Sequence, residues 1–132
     1  MKAYVDANVL CLASCDLGQR GNQAKSILEK IQSGQVTGYT CSLAIDELMW
    51  VITKQKQGRE LKNIITQVYA IPNFHVLDTP SHAPLKALEF MKEYNLKPRD
   101  AIHLTVMREQ DIATIYSDDA DFDRVKGIKR IF

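Results

Sequence analysis

The chain has 132 residues, 45% hydrophobic and 25% charged, with a formal net charge of +1. This composition suits one folded domain, residues 1–132, and excludes a disordered chain. The near-neutral balance excludes a broadly basic surface, so any contact with a polyanion has to be local.

Met1 leads straight into the strand-like run Lys2-Ala3-Tyr4-Val5, with no basic segment followed by an apolar one. No apolar run reaches the ~20 residues that a membrane-spanning helix needs. A cytoplasmic location without membrane contact is therefore expected. The odd set Cys11, Cys15 and Cys41 argues against a disulfide framework. With His75, His82 and His103 scattered, no zinc spacing is visible either, and three small buried thiols are expected.

Ala3 to Val5 reads as a short buried strand ending at Asp6. Ala24, Ile27, Leu28 and Ile31 have helical spacing, predicting a helix over Asn22 to Ser33 closed by Gly34. Val36 to Cys41 alternates and is rich in β-formers, predicting a second strand. Ser42 is placed to cap a helix from Leu43 to Lys56, with Ile45, Leu48, Met49 and Ile52 as its buried stripe and Gly58 as its stop. Leu61 to Ala70 reads as a helix stopped near Pro72, and Phe74 to Leu77 as a third strand. After the turn Thr79-Pro80-Ser81, the residues Leu85, Leu88 and Met91 space a helix to Tyr94. Pro98 opens another helix to Glu109. Ala113 to Ser117 reads as a fourth strand and Ile128 to Phe132 as a short last one. Strands alternating with helices predict an α/β fold, with a parallel sheet and helices on both faces.

The chemistry-bearing residues are acids. Asp6 closes the first strand, and Asp118 and Asp119 follow the fourth. In parallel sheets, sites form beyond the carboxyl ends of the strands, so these acids can meet across the sequence. The competing reading is that each caps a helix. Glu47 lies within the apolar helix, one turn from Leu43, Trp50 and Val51, where a carboxylate needs a partner or a cation; Asp46 beside it competes for that role. Asp100 sits in the first turn of Pro98–Glu109, either favouring the helix dipole or acting as a ligand. Carboxylates brought together repel, and a divalent cation removes that penalty. All-oxygen ligands suit Mg²⁺ or Mn²⁺, which activate water against a phosphodiester. No nucleophilic serine motif, phosphate-cradling glycine loop or dinucleotide fingerprint competes.

At these residues the chain resembles the PIN-domain family, in particular its small VapC-type toxins. Val5-Asp6-Ala7-Asn8-Val9-Leu10 looks like the first acidic motif, and Thr40 to Leu48 like the second. Arg99-Asp100-Ala101-Ile102-His103-Leu104 is similar to the third, and Ser117-Asp118-Asp119-Ala120-Asp121-Phe122 to the fourth. The resemblance spans nearly the whole chain. It implies a three-layer α/β/α sandwich around a mostly parallel sheet. It also implies endonucleolytic cleavage of RNA with Mg²⁺ or Mn²⁺, a homodimer, and a cognate antitoxin. It assigns Asp6, Glu47, Asp100 and Asp119 as catalytic, with Asp6, Asp100 and Asp119 on the metal. It prefers Glu47 to Asp46, makes Asp121 auxiliary, and has Asn8 and Ser117 orient ligands or water. Asp118 stands where the family pattern often has Asn.

Arg99, beside the third motif, is the candidate phosphate contact, and His103 a weaker candidate for touching substrate. The other cations form surface clusters, Lys54-Lys56-Arg59-Lys62 and Lys126-Lys129-Arg130. Trp50 and Tyr116 are able to stack on bases, but core packing is the expectation for both. Two other functions compete with a nuclease. One is a non-catalytic PIN-like binding module, which has no need of a filled acidic cluster. The other is a phosphatase with Asp6 as nucleophile, against which stands Asn8 where Asp-x-Asp is usual.

Overall fold

A computed structural model describes residues 1–55 and 58–132. Its elements in chain order are β1 (Lys2–Val5), α1 (Ala7–Cys15), α2 (Gln19–Gln32), β2 (Thr37–Cys41), α3 (Ser42–Lys54), α4 (Leu61–Tyr69), β3 (Phe74–Leu77), α5 (Ala83–Tyr94), α6 (Pro98–Glu109), β4 (Thr114–Tyr116) and β5 (Lys129–Ile131). The five strands form one sheet in the order β3-β2-β1-β4-β5, every pair parallel. With helices on both faces, this is the expected three-layer sandwich.

The alternation of β1 builds the two faces, since successive side chains on a strand point oppositely. Ala3 and Val5 join Val9, Leu10, Ile31, Leu48 and Ile52 in one core cluster. Tyr4 joins Phe90, Leu104, Met107, Ile115 and Phe122 in the other. The chain first steps outward through β2 to β3, then crosses back to the far side of β1 and continues to β5. Reversing direction along a parallel sheet while keeping right-handed crossovers moves the helices to the opposite face. Neighbouring strands β1 and β4 thus leave the sheet in opposite senses, which opens a crevice at their carboxyl ends. Their register, Val5 opposite Tyr116, brings Asp6 and Ser117 to that crevice together.

Several local expectations change. Helix α1 was not anticipated, because Ala7–Cys15 is apolar nearly all round and carries no 3.6-residue stripe. Ser42 lies inside α3 rather than capping it; its hydroxyl bonds that of Thr79 at 2.9 Å. The buried face of α3 is Ala44, Ile45, Leu48 and Ile52, and Met49 is exposed. The helix ends at Lys54, so Gly58 opens a 3-10 turn instead of closing α3. Lys56, the anticipated helix end, lies outside the described residues. On α5, Ala83, Ala87 and Phe90 face the core while Leu85 and Leu88 are exposed. The large residues misplace that stripe, because the small alanines are what admit α6 at close range. Tyr116 is buried as expected, but Trp50 is not. Cys41 is buried and Cys11 and Cys15 are half-buried, all three free thiols. Among the described residues no helix is long and apolar enough to cross a membrane.

Candidate active site

Asp6 follows β1 directly, and its backbone N–H donates to the Tyr116 carbonyl at 3.0 Å. Its extended backbone makes it the N-cap of α1, where Oδ1 accepts from the Ala7 N–H at 2.8 Å. Oδ2 accepts from the Ser117 hydroxyl at 2.7 Å and the Asn8 amide at 3.2 Å. Asn8 Oδ1 accepts from the Asp118 N–H at 3.1 Å, and Ser117 Oγ from the Asp119 N–H at 3.0 Å. Capping and site-building are therefore one structure: the bonds that cap α1 also lash the ends of β1 and β4 together. Asp6 is only 4% exposed. Burial raises its pKa; His103 and the Ser117 hydroxyl pull the other way. Ser117→Ala leaves a buried carboxylate oxygen short of a donor and the Asp119 N–H without its acceptor. The expected loss is about 1–3 kcal/mol, measured as a lowered thermal midpoint.

Asp100 is carried by the first turn of α6, which Pro98 starts. Asp119 caps the 3-10 turn Ala120–Arg124, its Oδ1 accepting from the Asp121 N–H at 2.9 Å. Carboxylate oxygens of Asp100, Asp119 and Asp121 lie within 4.8 Å of one another. The fourth motif thereby separates its acids. Asp119 and Asp121 meet Asp100, whereas Asp118 forms an ion pair with Arg20. Asp121, expected as auxiliary, stands in the trio; it also accepts from Arg124 at 3.0 Å. Asp6 is not in that trio but lies close enough to act on it. Burial first, then repulsion from Asp6 and Asp119, pushes Asp100 up to about 7. The donors are all hard oxygens and Arg124 offsets only part of their mutual repulsion, so the residues fit a divalent cation such as Mg²⁺ or Mn²⁺.

Glu47 projects from α3 into the cavity shared with Lys97, Pro98, Arg99, Asp100 and Asp119. Its Oε1 lies 2.7 Å from His103 Nε2, and its side chain is 19% exposed. Asp46, the competing acid, is exposed on the same helix, and both Asp46 and Glu47 line a neighbouring cavity. His103 has no exposed surface and meets Glu47 rather than solvent. Its Nδ1 meets the Tyr4 hydroxyl at 2.7 Å, which donates to Cys41 Sγ at 3.0 Å; its Nε2 is 3.9 Å from Asp6 Oδ1. Burial works against the imidazolium, but hydrogen bonds with Cys41 and Glu47 and the attraction of Asp6 outweigh it and push His103 up to about 10. The imidazole that these bonds favour in its protonated form thus lies beneath Glu47 and Asp6. Tyr4 and Cys41 escape a sequence reading because their partner arrives from a helix far along the chain. The available signal was Tyr4 itself, two residues before Asp6 and so on the same strand face.

The PIN domain family model matches residues 3–128. A sequence search of curated proteins finds no match. Among solved structures, a toxin–antitoxin complex from Klebsiella pneumoniae superposes with a TM-score of 0.70 at 20% identity, covering 98% of this chain and 96% of that one. VapBC2 from Rickettsia felis, bound to a DNA fragment of its promoter, gives 0.77 at 13% identity over 99% and 98% of the two chains. A sarcin–ricin-loop-cleaving VapC toxin from Mycobacterium tuberculosis gives 0.74 at 16% identity over 92% of each. At these identities the superpositions speak for the fold, and the family match for the descent: the chain belongs to the PIN domain family.

Proposed function

We propose that this protein is a Mg²⁺- or Mn²⁺-dependent endoribonuclease, the toxin of a toxin–antitoxin pair. One observation carries the reading. In a PIN-family chain, Asp100, Asp119 and Asp121 converge within 4.8 Å; Asp100 and Asp119 line a cavity with Glu47, and Asp6 acts electrostatically on Asp100. Asp6, Asp100 and Asp119, with Asp121, would hold the ion. A bound divalent ion supplies a water of lowered pKa and polarises a phosphoryl oxygen.

The chain's own residues supply the rest. Ser117 and Asn8 fix the orientation of Asp6. Glu47 Oε1 is held by His103, which leaves Oε2 without a hydrogen-bond partner among the described residues and free to accept a proton. Arg99 and Lys97, on the same cavity, neutralise substrate phosphates. A phosphatase using Asp6 is disfavoured, because Asn8 stands where such enzymes usually carry a second Asp, and its amide is donated to Asp6 Oδ2. The toxin assignment is supported by fold neighbours that are toxins or toxin–antitoxin complexes. A homodimer and an antitoxin partner belong to the same proposal.

Purified protein is expected to cleave single-stranded RNA with Mg²⁺ or Mn²⁺, to stop with EDTA, and to resume when excess metal is returned. Cleavage undiminished in EDTA overturns the metal assignment. Growth arrest on expression of the wild-type chain, relieved by Asp6→Asn, tests the toxin assignment; equal growth of both removes it and leaves the nuclease in place.

A further inference from the structure

Trp50 is the largest side chain left on the surface, 59% exposed, where core packing was expected. It lies three residues after Glu47 on α3, hence on the same side of the helix and only ~4.5 Å along its axis. Arg99 joins the two. One cavity is lined by Asp46, Glu47, Met49, Trp50, Thr53 and Arg99. A second contains Trp50, Glu47 and Arg99 with Asn8 and Arg20, and a third contains Glu47 and Arg99 with Asp100 and Asp119. Glu47 and Arg99 thus border every one of these cavities, and a continuous surface runs from Asp100 and Asp119 to the indole. Lys54 Nζ lies 5.5 Å from the centroid of the Trp50 ring, adding a further cation.

We infer that Trp50 and Arg99 form a subsite for one unpaired nucleotide flanking the scissile phosphate, its base stacked on the indole and its phosphate bonded to the guanidinium. The inference rests on the nuclease reading above and adds to it the two side chains that hold one nucleotide of the single strand. An aromatic face stacks on any base, but a paired base inside a helix presents no free face to it. Arginine supplies the planar, bidentate phosphate contact that a flexible lysine does not. The surroundings favour a nucleotide over a protein partner. Asp46, Glu47, Lys54 and Arg99 border the indole, whereas the core of a protein interface is depleted of charge.

Trp50 is the single tryptophan of the chain, so its fluorescence reports this subsite alone. The test titrates a short unstructured RNA, the same RNA as a duplex, and a version with one abasic ribose into the full-length Asp100→Asn protein, which binds without turnover. Single-stranded RNA is expected to quench the emission, the duplex to leave it unchanged, and the abasic site at one position to abolish quenching. Trp50→Ala is expected to weaken filter-measured binding about 5- to 150-fold, with Trp50→Phe retaining most of the affinity. Arg99→Ala is expected to lower the slope of log affinity against log salt by about 0.7. In the wild-type background, Trp50→Ala should raise KM far more than it lowers kcat.

RNA that binds by filter retention without quenching, or a duplex that quenches equally, overturns the subsite. So does emission that changes only on dilution of the protein, which marks a contact with a second copy. If Trp50→Ala cleaves with unchanged KM, the subsite fails and the nuclease stands. If the wild type never cleaves but single-stranded RNA still quenches, the nuclease reading fails and the subsite stands as an RNA-binding surface.

Discussion

Asp100→Asn is expected to lower kcat for RNA cleavage by about 10²–10³ or more, and at the same time to stabilise the metal-free protein. The first effect removes a charged ligand from the point where Asp100, Asp119 and Asp121 converge. The second follows from linkage. Burial, then Asp6 and Asp119, hold the Asp100 pKa up to about 7, whereas an unfolded chain has ~3.9. A group whose folded pKa is raised contributes stability that is complete below the unfolded pKa and is lost as pH rises through the folded one. Above pH ~7 the wild-type protein therefore folds with an ionised Asp100 against its neighbours, and asparagine does not carry that charge. The thermal midpoint of the metal-free variant should exceed that of the wild type by about 2–5 °C at pH 8, and match it below pH ~4. Mg²⁺ or Mn²⁺ should raise the wild-type midpoint, increasingly so above pH ~7, and leave the variant unchanged. A variant that retains full cleavage, or that is less stable at pH 8, contradicts the site.

His103→Phe is the substitution expected to damage the fold most within the site, by about 3 kcal/mol, or roughly 10 °C. Phenylalanine is larger than the fully buried histidine, so it crowds the site, and it removes the bond to Glu47 and leaves the Tyr4 hydroxyl with Cys41 alone. It also removes the ring nitrogen that lies 3.9 Å from Oδ1 of the buried Asp6. The pH dependence has the opposite origin to that of Asp100. The folded His103 pKa is raised to about 10 against ~6.5 unfolded, so its contribution is complete below pH ~6.5 and fades as pH rises toward 10. The stability difference between wild type and variant should shrink accordingly in denaturation curves taken from pH 6 to 10. Glu47→Gln keeps an acceptor for Nε2 and should lose kcat with little loss of stability. A double-mutant cycle of His103→Phe with Glu47→Ala, which removes the acceptor, then measures their coupling, and additivity would disprove the contact.

These predictions join residues that no local pattern connects, and that marks where sequence reading stops. The sequence alone determined the layering, because the strand runs Ala3–Val5 and Phe74–Leu77 and the Pro98–Glu109 helix carry their own periodicity and punctuation. It determined that acids stand at the ends of the first and fourth strands, and through the motif resemblance it singled out Glu47 and Asp100. It left α1 unseen, put Met49 on the inward face of α3 in place of Ala44, and misplaced the inward face of α5. For a helix that is apolar all round, or one whose core contact is made by alanines, side-chain size does not say which way it faces. Only the tertiary structure decided which acids meet, since the pairing of β1 with β4 and the turn after Ser117 set Asp119 and Asp121 on Asp100 and turned Asp118 to Arg20. It alone drew His103 beneath Glu47 and left Trp50 outside. Such contacts depend on distances between residues remote in sequence, and a chain fixes those only when its layers pack.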